Sequence, residues 1–191
     1  MKKLAAILCL SALSTGAFAQ GLINFFNSAT TLVSSGTSAQ TATAISGAPG
    51  AYYFALLTSP TGANNFTFSG VSGTNQAVAG RFLGGANIQV AGWAPGTARD
   101  FKVAGWDQSL GATFNPAWLT TTPNGFFGVS SLGSGQAGGF NGTGTLPNLN
   151  IFGGATGIQN GFALISSVPE PTSMALAGLG AAALLIFRRR K

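Results

Sequence analysis

Between Gln20 and Ser167 the chain holds two carboxylates, Asp100 and Asp107, and neither histidine nor cysteine. Hydrolysis of a glycosidic bond needs two carboxyl groups facing one cleft, about 5–10 Å apart. Asp100 stands between Arg99 and Phe101 with Lys102 close by, the setting of a solvated ion pair. Asp107 follows Trp106 at the end of an apolar stretch, where Asp commonly caps a turn. Neither reads as catalytic. Without histidine a Ser-His-Asp relay cannot form. No G-x-S-x-G elbow and no Gly-rich phosphate loop ending in Lys-Ser or Lys-Thr occurs. The single cysteine, Cys9, lies in the N-terminal apolar run, so disulfides and Cys/His zinc sites are not expected beyond it. Calcium would need clustered oxygen ligands, usually with more than one carboxylate. No catalytic residue, metal or cofactor is therefore expected. Trp93, Trp106 and Trp118 could offer a platform for sugar rings, although sparse tryptophans more commonly serve as core.

The charges are distributed by position. Nine basic and three acidic residues give a formal net charge of +6. Six of the basic residues, Lys2, Lys3, Arg188, Arg189, Arg190 and Lys191, flank apolar runs at the two ends. Between Gln20 and Ser167 only Arg81, Arg99, Lys102, Asp100 and Asp107 are charged, a net of +1. Three scattered cations make no basic patch, which excludes nucleic acid as an expected partner.

Residues 1–19 have the three parts of a secretory signal peptide. Lys2 and Lys3 precede a short apolar core over 4–13, and Ala17-Phe18-Ala19 forms a small-x-small cleavage site. The mature chain is expected to begin at Gln20 after passage through the Sec machinery.

The other end is more specific. Val168, Pro169, Glu170 and Pro171 precede Thr172, a residue able to cap a helix, and then an uninterrupted run of apolar or small residues over 173–187. At about 1.5 Å per residue, a helix from 171 to 187 spans about 25 Å, slightly under the ~30 Å hydrocarbon core of a bilayer. Snorkelling arginines can cover the shortfall. The terminal Arg188, Arg189, Arg190 and Lys191 would mark the cytoplasmic side. Prolines keep 168–171 out of helix and central strand, so this segment should be extended just outside the membrane.

This order of parts resembles the PEP-CTERM sorting domain of Gram-negative bacteria. The resemblance implies an exosortase as partner, a membrane transpeptidase that cuts near the Pro-Glu-Pro segment and passes the protein to the cell envelope or extracellular matrix. An inner-membrane-anchored intermediate would precede that step. The alternative is a permanent membrane anchor.

Between the two ends, residues 20–167 are rich in Gly, Ser, Thr, Asn and Ala. Period-two alternation predicts eight strands, at 22–27, 51–58, 65–69, 87–91, 100–106, 125–130, 148–152 and 161–167. Tyr52, Phe54 and Leu56 share one face; Phe101 and Val103 lie opposite Lys102. Pro95-Gly96 suits a type II turn between two strands that could form a hairpin, and Asn-Gly at 124–125, 141–142 and 160–161 suits tight turns. The Gly-rich stretch 133–147 offers few large apolar groups and could be partly disordered. The expected fold is all-β, an antiparallel sandwich or jelly roll, with a signal helix before it and one transmembrane helix over 172–187. The segments "GLINFFN", "WAPGTARDFKVAGWD" and "GFALISSVPEP" also resemble small exported PEP-CTERM proteins of Verrucomicrobia-like and Planctomycetes-like bacteria. That likeness supports an all-β body and implies no activity. The reading is thus a non-enzymatic envelope or matrix protein, with an exopolysaccharide-binding module as the alternative.

Overall fold

The computed structural model describes residues 20–166 and 179–180. The expected signal peptide and all of the motif and basic end lie outside those residues, as does the expected membrane helix apart from 179 and 180. Among the described residues, no helix is long and apolar enough to cross a membrane.

The body is all-β, and each of the eight predicted strands has a counterpart. The strands are β1 (Gly21–Phe26), β2 (Ser34–Gly36), β3 (Thr43–Ala44), β4 (Tyr52–Pro60), β5 (Thr67–Asn75), β6 (Phe82–Val90) and β7 (Ala98–Asp107). They continue with β8 (Phe126–Val129), β9 (Gly133–Gln136), β10 (Gly139–Phe140), β11 (Thr145–Leu146), β12 (Leu149–Asn150) and β13 (Ala163–Ser166).

In place of the expected pair of packed antiparallel sheets stands one large mixed sheet in the order β12-β1-β6-β5-β4-β7-β8-β13-β2-β3, with β9 also on β7, and a separate two-stranded ribbon of β10 and β11. Two pairings are parallel, β1 with β12 and β13 with β2. They join segments far apart in sequence, which alternation within a segment cannot reveal. The sheet curls until Leu22 exchanges backbone hydrogen bonds with Gly138, just past β9. Strands β1, β6, β5, β4, β7 and β9 thereby enclose a common interior.

Bulges produce the curl. The β1–β6 register shifts between Ile23, Phe25 and Phe26, and the β4–β5 register shifts between Ala55 and Leu57. An unpaired residue in one strand bends it and increases its twist. At the first bulge Asn87 has a φ of 55°, and its N–H donates to Asn24 Oδ1 at 3.1 Å. Gly84 sits where a Cβ would lie 2.2 Å from Phe25 Cδ1, so only glycine lets the ring close over the bend.

Strands β4 and β7 pair without interruption from Tyr52–Asp107 to Pro60–Arg99 and are buried on both faces. Inward, Phe54, Leu56, Phe101 and Val103 join Ile23, Phe25, Phe82, Trp93 and Leu164 in the main core. Phe54 stacks on Phe82 at 4.3 Å between centroids. Outward, Ala55, Leu57, Ala104 and Trp106 form a second cluster with Phe114. The long β7–β8 connection covers them through two short 3-10 turns, Gln108–Leu110 and Pro116–Leu119.

Two local expectations are corrected. Ala94 to Thr97 does form a turn, with Thr97 N–H donating to the Ala94 carbonyl and Gly96 at φ 77°. No hairpin follows it: β6 pairs with β1 and β5, while β7 pairs with β4, β8 and β9. A preceding turn, closed by Trp93 N–H on the Val90 carbonyl, sends the chain to the opposite wall instead. Of the Asn-Gly pairs, only 141–142 turns a hairpin, joining β10 to β11 through Asn141 Oδ1, which accepts from Thr143 and Gly144 N–H. At 160–161 glycine serves a close approach, since a Cβ on Gly161 would lie 1.8 Å from the Leu32 carbonyl oxygen.

The stretch 133–147 is likewise ordered into β9, β10 and β11 rather than disordered. Its glycines create contact. A Cβ at Gly133 would lie 2.3 Å from Phe101 Cε2, inside the main core. Gly133→Ala should therefore cost about 1–3 kcal/mol by overpacking, measured by denaturant unfolding. No change in stability would mean that this tract does not pack as described.

Candidate functional site

Asp100, expected as a solvated ion pair, is buried at 5% exposure. Its Oδ2 accepts the Gly62 N–H at 2.7 Å, and Ser134 stands opposite it on β9. The neighbouring cations go elsewhere. Arg99 Nη2 donates to the Gly92 carbonyl at 2.7 Å, and Lys102 Nζ lies 4.6 Å from the centroid of the Phe66 ring. The Gly62 N–H, helped by Ser134, holds the Asp100 carboxyl below its usual range against the opposing effect of burial.

Asp107 precedes the turn Gln108–Leu110 but takes the Ser109 hydroxyl at 2.7 Å rather than a backbone N–H. Asp100 and Asp107 sit seven positions apart on one unbulged stretch of β7, so they face opposite sides and stand about 23 Å apart along the strand. One cleft does not hold both.

The three tryptophans do not share a surface. Trp93 and Trp106 are fully buried, one in each core cluster, and their indole N–H groups donate to the Thr97 and Gly111 carbonyls at 2.7 Å. Trp118 alone is half-buried, in the turn Pro116–Leu119 whose start is capped by Asn115 accepting from Ala117 N–H. Its ring packs against Trp106 at 5.5 Å, Phe114 at 5.9 Å and Phe127 at 6.0 Å.

Beside Trp118 lies a cleft of about 510 Å³ on the outer face of the β4–β7 pair. Leu57, Lys102, Phe127 and Val129 line it from the sheet, and Asn64, Asn65 and Phe66 from the β4–β5 turn. Asp100 fixes that turn at Gly62, and Ser59 Oγ accepts the Asn65 N–H at 3.0 Å. Sequence reading singled out Trp118 but missed Phe66, Lys102, Asn64 and Asn65 as its neighbours. The available signal was Lys102 itself, a cation on the same face of the strand as Ala104 and Trp106.

The C-terminal strand ends at Ser166, and residues 167–191 match the PEP-CTERM protein-sorting motif. The chain carries a PEP-CTERM sorting signal. It is thereby marked as an exported protein processed by an exosortase. The match takes in Val168, Pro169, Glu170, Pro171 and the basic residues Arg188, Arg189, Arg190 and Lys191, all outside the described residues. It does not reach the body, whose likeness to proteins of particular bacterial groups draws no support from it. No curated protein and no solved structure matches the chain. Of the expected signal-peptide cleavage residues, Ala17 and Ala19 are outside the described region, while Gln20 is exposed and directly precedes β1.

Asp100 gives this site a pH signature. Its folded-state pKa lies below the unfolded value of about 3.9, so its stabilising contribution is present above that value. The contribution is lost as the pH falls from there through the lower folded value. Asp100→Asn should flatten the acid limb of stability against pH, and Asp100→Ala should cost about 1–3 kcal/mol at neutral pH by stranding the Gly62 N–H. Chemical denaturation across that range reads both effects.

Proposed function

We infer that the protein is a non-enzymatic component of the cell envelope or extracellular matrix, delivered by its two ends. The signal peptide directs export through Sec, with cleavage before Gln20. The apolar run over 172–187 holds the chain in the inner membrane, and Arg188 to Lys191 stop its transfer. An exosortase then cuts near Pro169, Glu170 and Pro171 and releases the body to its final layer. The observation that carries this reading is the position of the motif match, which begins one residue after the last strand. Removal of the tail takes no described strand from the fold.

The separation of Asp100 from Asp107 supports a non-enzymatic body. A second reading adds sugar binding at the Trp118 cleft, favoured by an aromatic ring held on three sides beside side-chain amides and an open volume. Aromatic faces and amides are the groups that sugar rings and hydroxyls meet well.

Mass spectrometry of envelope and culture-fluid fractions should find mature protein that begins at Gln20 and lacks the residues after about 171. Replacing Pro169, Glu170 and Pro171 by alanine should leave the basic end attached and the protein in the inner-membrane fraction. Unmodified protein that retains Arg188 to Lys191 throughout would instead establish a permanent anchor.

A further inference from the structure

We propose that the cleft beside Trp118 takes an acidic sugar residue of a polysaccharide, its carboxylate facing the Lys102 ammonium. This rests on the sugar-binding reading above and adds the charge of the ligand. The cleft volume, about 510 Å³, falls within the range of small-ligand sites, about 300–1,000 Å³.

Lys102 is the anomaly. It sits mid-strand on β7, opposite Leu57, and its neighbours on the same face are the buried Ala104 and Trp106 on one side. On the other side is Asp100, whose carboxylate is committed to the Gly62 N–H. Asp107 is engaged by Ser109. Both described carboxylates are thus used, and the ammonium rests over the Phe66 ring. A cation–π contact supplies about 0.5–1 kcal/mol and leaves N–H donors of the ammonium for another partner. Bringing a cation into an aromatic cleft costs solvation, which an anionic partner restores through short, charge-assisted hydrogen bonds.

The rest of the cleft suits a pyranose. Trp118 offers its exposed face to the ring's C–H groups. Asn64 and Asn65 bring side-chain amides to the rim, on a turn set by two buried anchors, Asp100 and Ser59. The Gly62 and Asn65 N–H groups tie the turn at two points, to Asp100 Oδ2 and Ser59 Oγ, and Asn64 between them holds a φ of 52°, a left-handed conformation that asparagine adopts readily. A preformed rim lowers the ordering cost of binding.

The test uses the full chain in detergent with two probes, polygalacturonate and its fully methyl-esterified form, at about 150 mM salt, where long-range attraction is screened. Affinity electrophoresis should show the acidic polymer bound about tenfold more tightly than the ester. Lys102→Met should erase that preference, Lys102→Arg should keep it, and Arg99→Gln, an equal loss of charge outside the cleft, should leave it unchanged. Trp118→Ala should weaken both polymers. Equal binding of the two polymers, with loss in Trp118→Ala, would overturn the acidic preference and leave sugar binding standing. A loss in Arg99→Gln as large as in Lys102→Met would reduce the effect to general charge and also overturn it. Failure of the wild-type chain to bind either polymer would overturn both readings.

Discussion

The structure depends on one strand pair buried on both sides. β4 and β7 run together from Tyr52–Asp107 to Pro60–Arg99, with Phe54, Leu56, Phe101 and Val103 on one face and Ala55, Leu57, Ala104 and Trp106 on the other. A sheet with one wet face would need to cover only one of these. Here the inner face is covered because the sheet curls round on itself, and the outer face because the β7–β8 connection folds back with Phe114 and Trp118. The bulges, the glycines that admit Phe25 and Phe101, and the Leu22–Gly138 closure all serve the curl.

Amides and hydroxyls do the polar work that ion pairs perform in more highly charged proteins. The buried Asn27 donates to the Thr31 and Gly80 carbonyls and accepts from Phe82 N–H, tying β1 to the start of β6. The buried Asn75 accepts from Gly50 and Tyr52 N–H and donates to the Gly47 and Ala48 carbonyls, fixing the approach to β4. Ser130 Oγ accepts the Val103 N–H where β8 has ended. Neutral partners of this kind are insensitive to ionic strength, a property suited to an exported body. Asp100 is the exception, and it anchors the turn that carries one rim of the cleft.

Much of the strand content was legible in the sequence because side-chain alternation is a local property. Phe54 and Leu56 do face one core, and Lys102 does oppose Phe101 and Val103. Pairing partners were not legible, since β12 reaches β1 and β13 reaches β2 across most of the chain. The Gly-rich stretch misled for a physical reason: glycine marks close approach as well as flexibility, and Gly133, Gly135 and Gly138 all abut other segments. The cleft was half legible. An isolated tryptophan attracted notice, but its partners come from a turn and two strands that only the fold brings together. The sorting signal was wholly legible, because its order, spacing and terminal position are themselves sequence properties.

The chain thus divides its physics between parts. Its ends carry most of the charge, the C-terminal end carries the sorting motif, and the body between them holds a nearly neutral fold that closes before that motif begins. Native-state hydrogen exchange, compared between the full chain and the chain ending at residue 171, tests that division most directly. The account predicts the slowest exchange in β4 and β7 and the same protection throughout the body in both forms. Loss of protection in β13, β2 or the central pair on removal of the tail would contradict it.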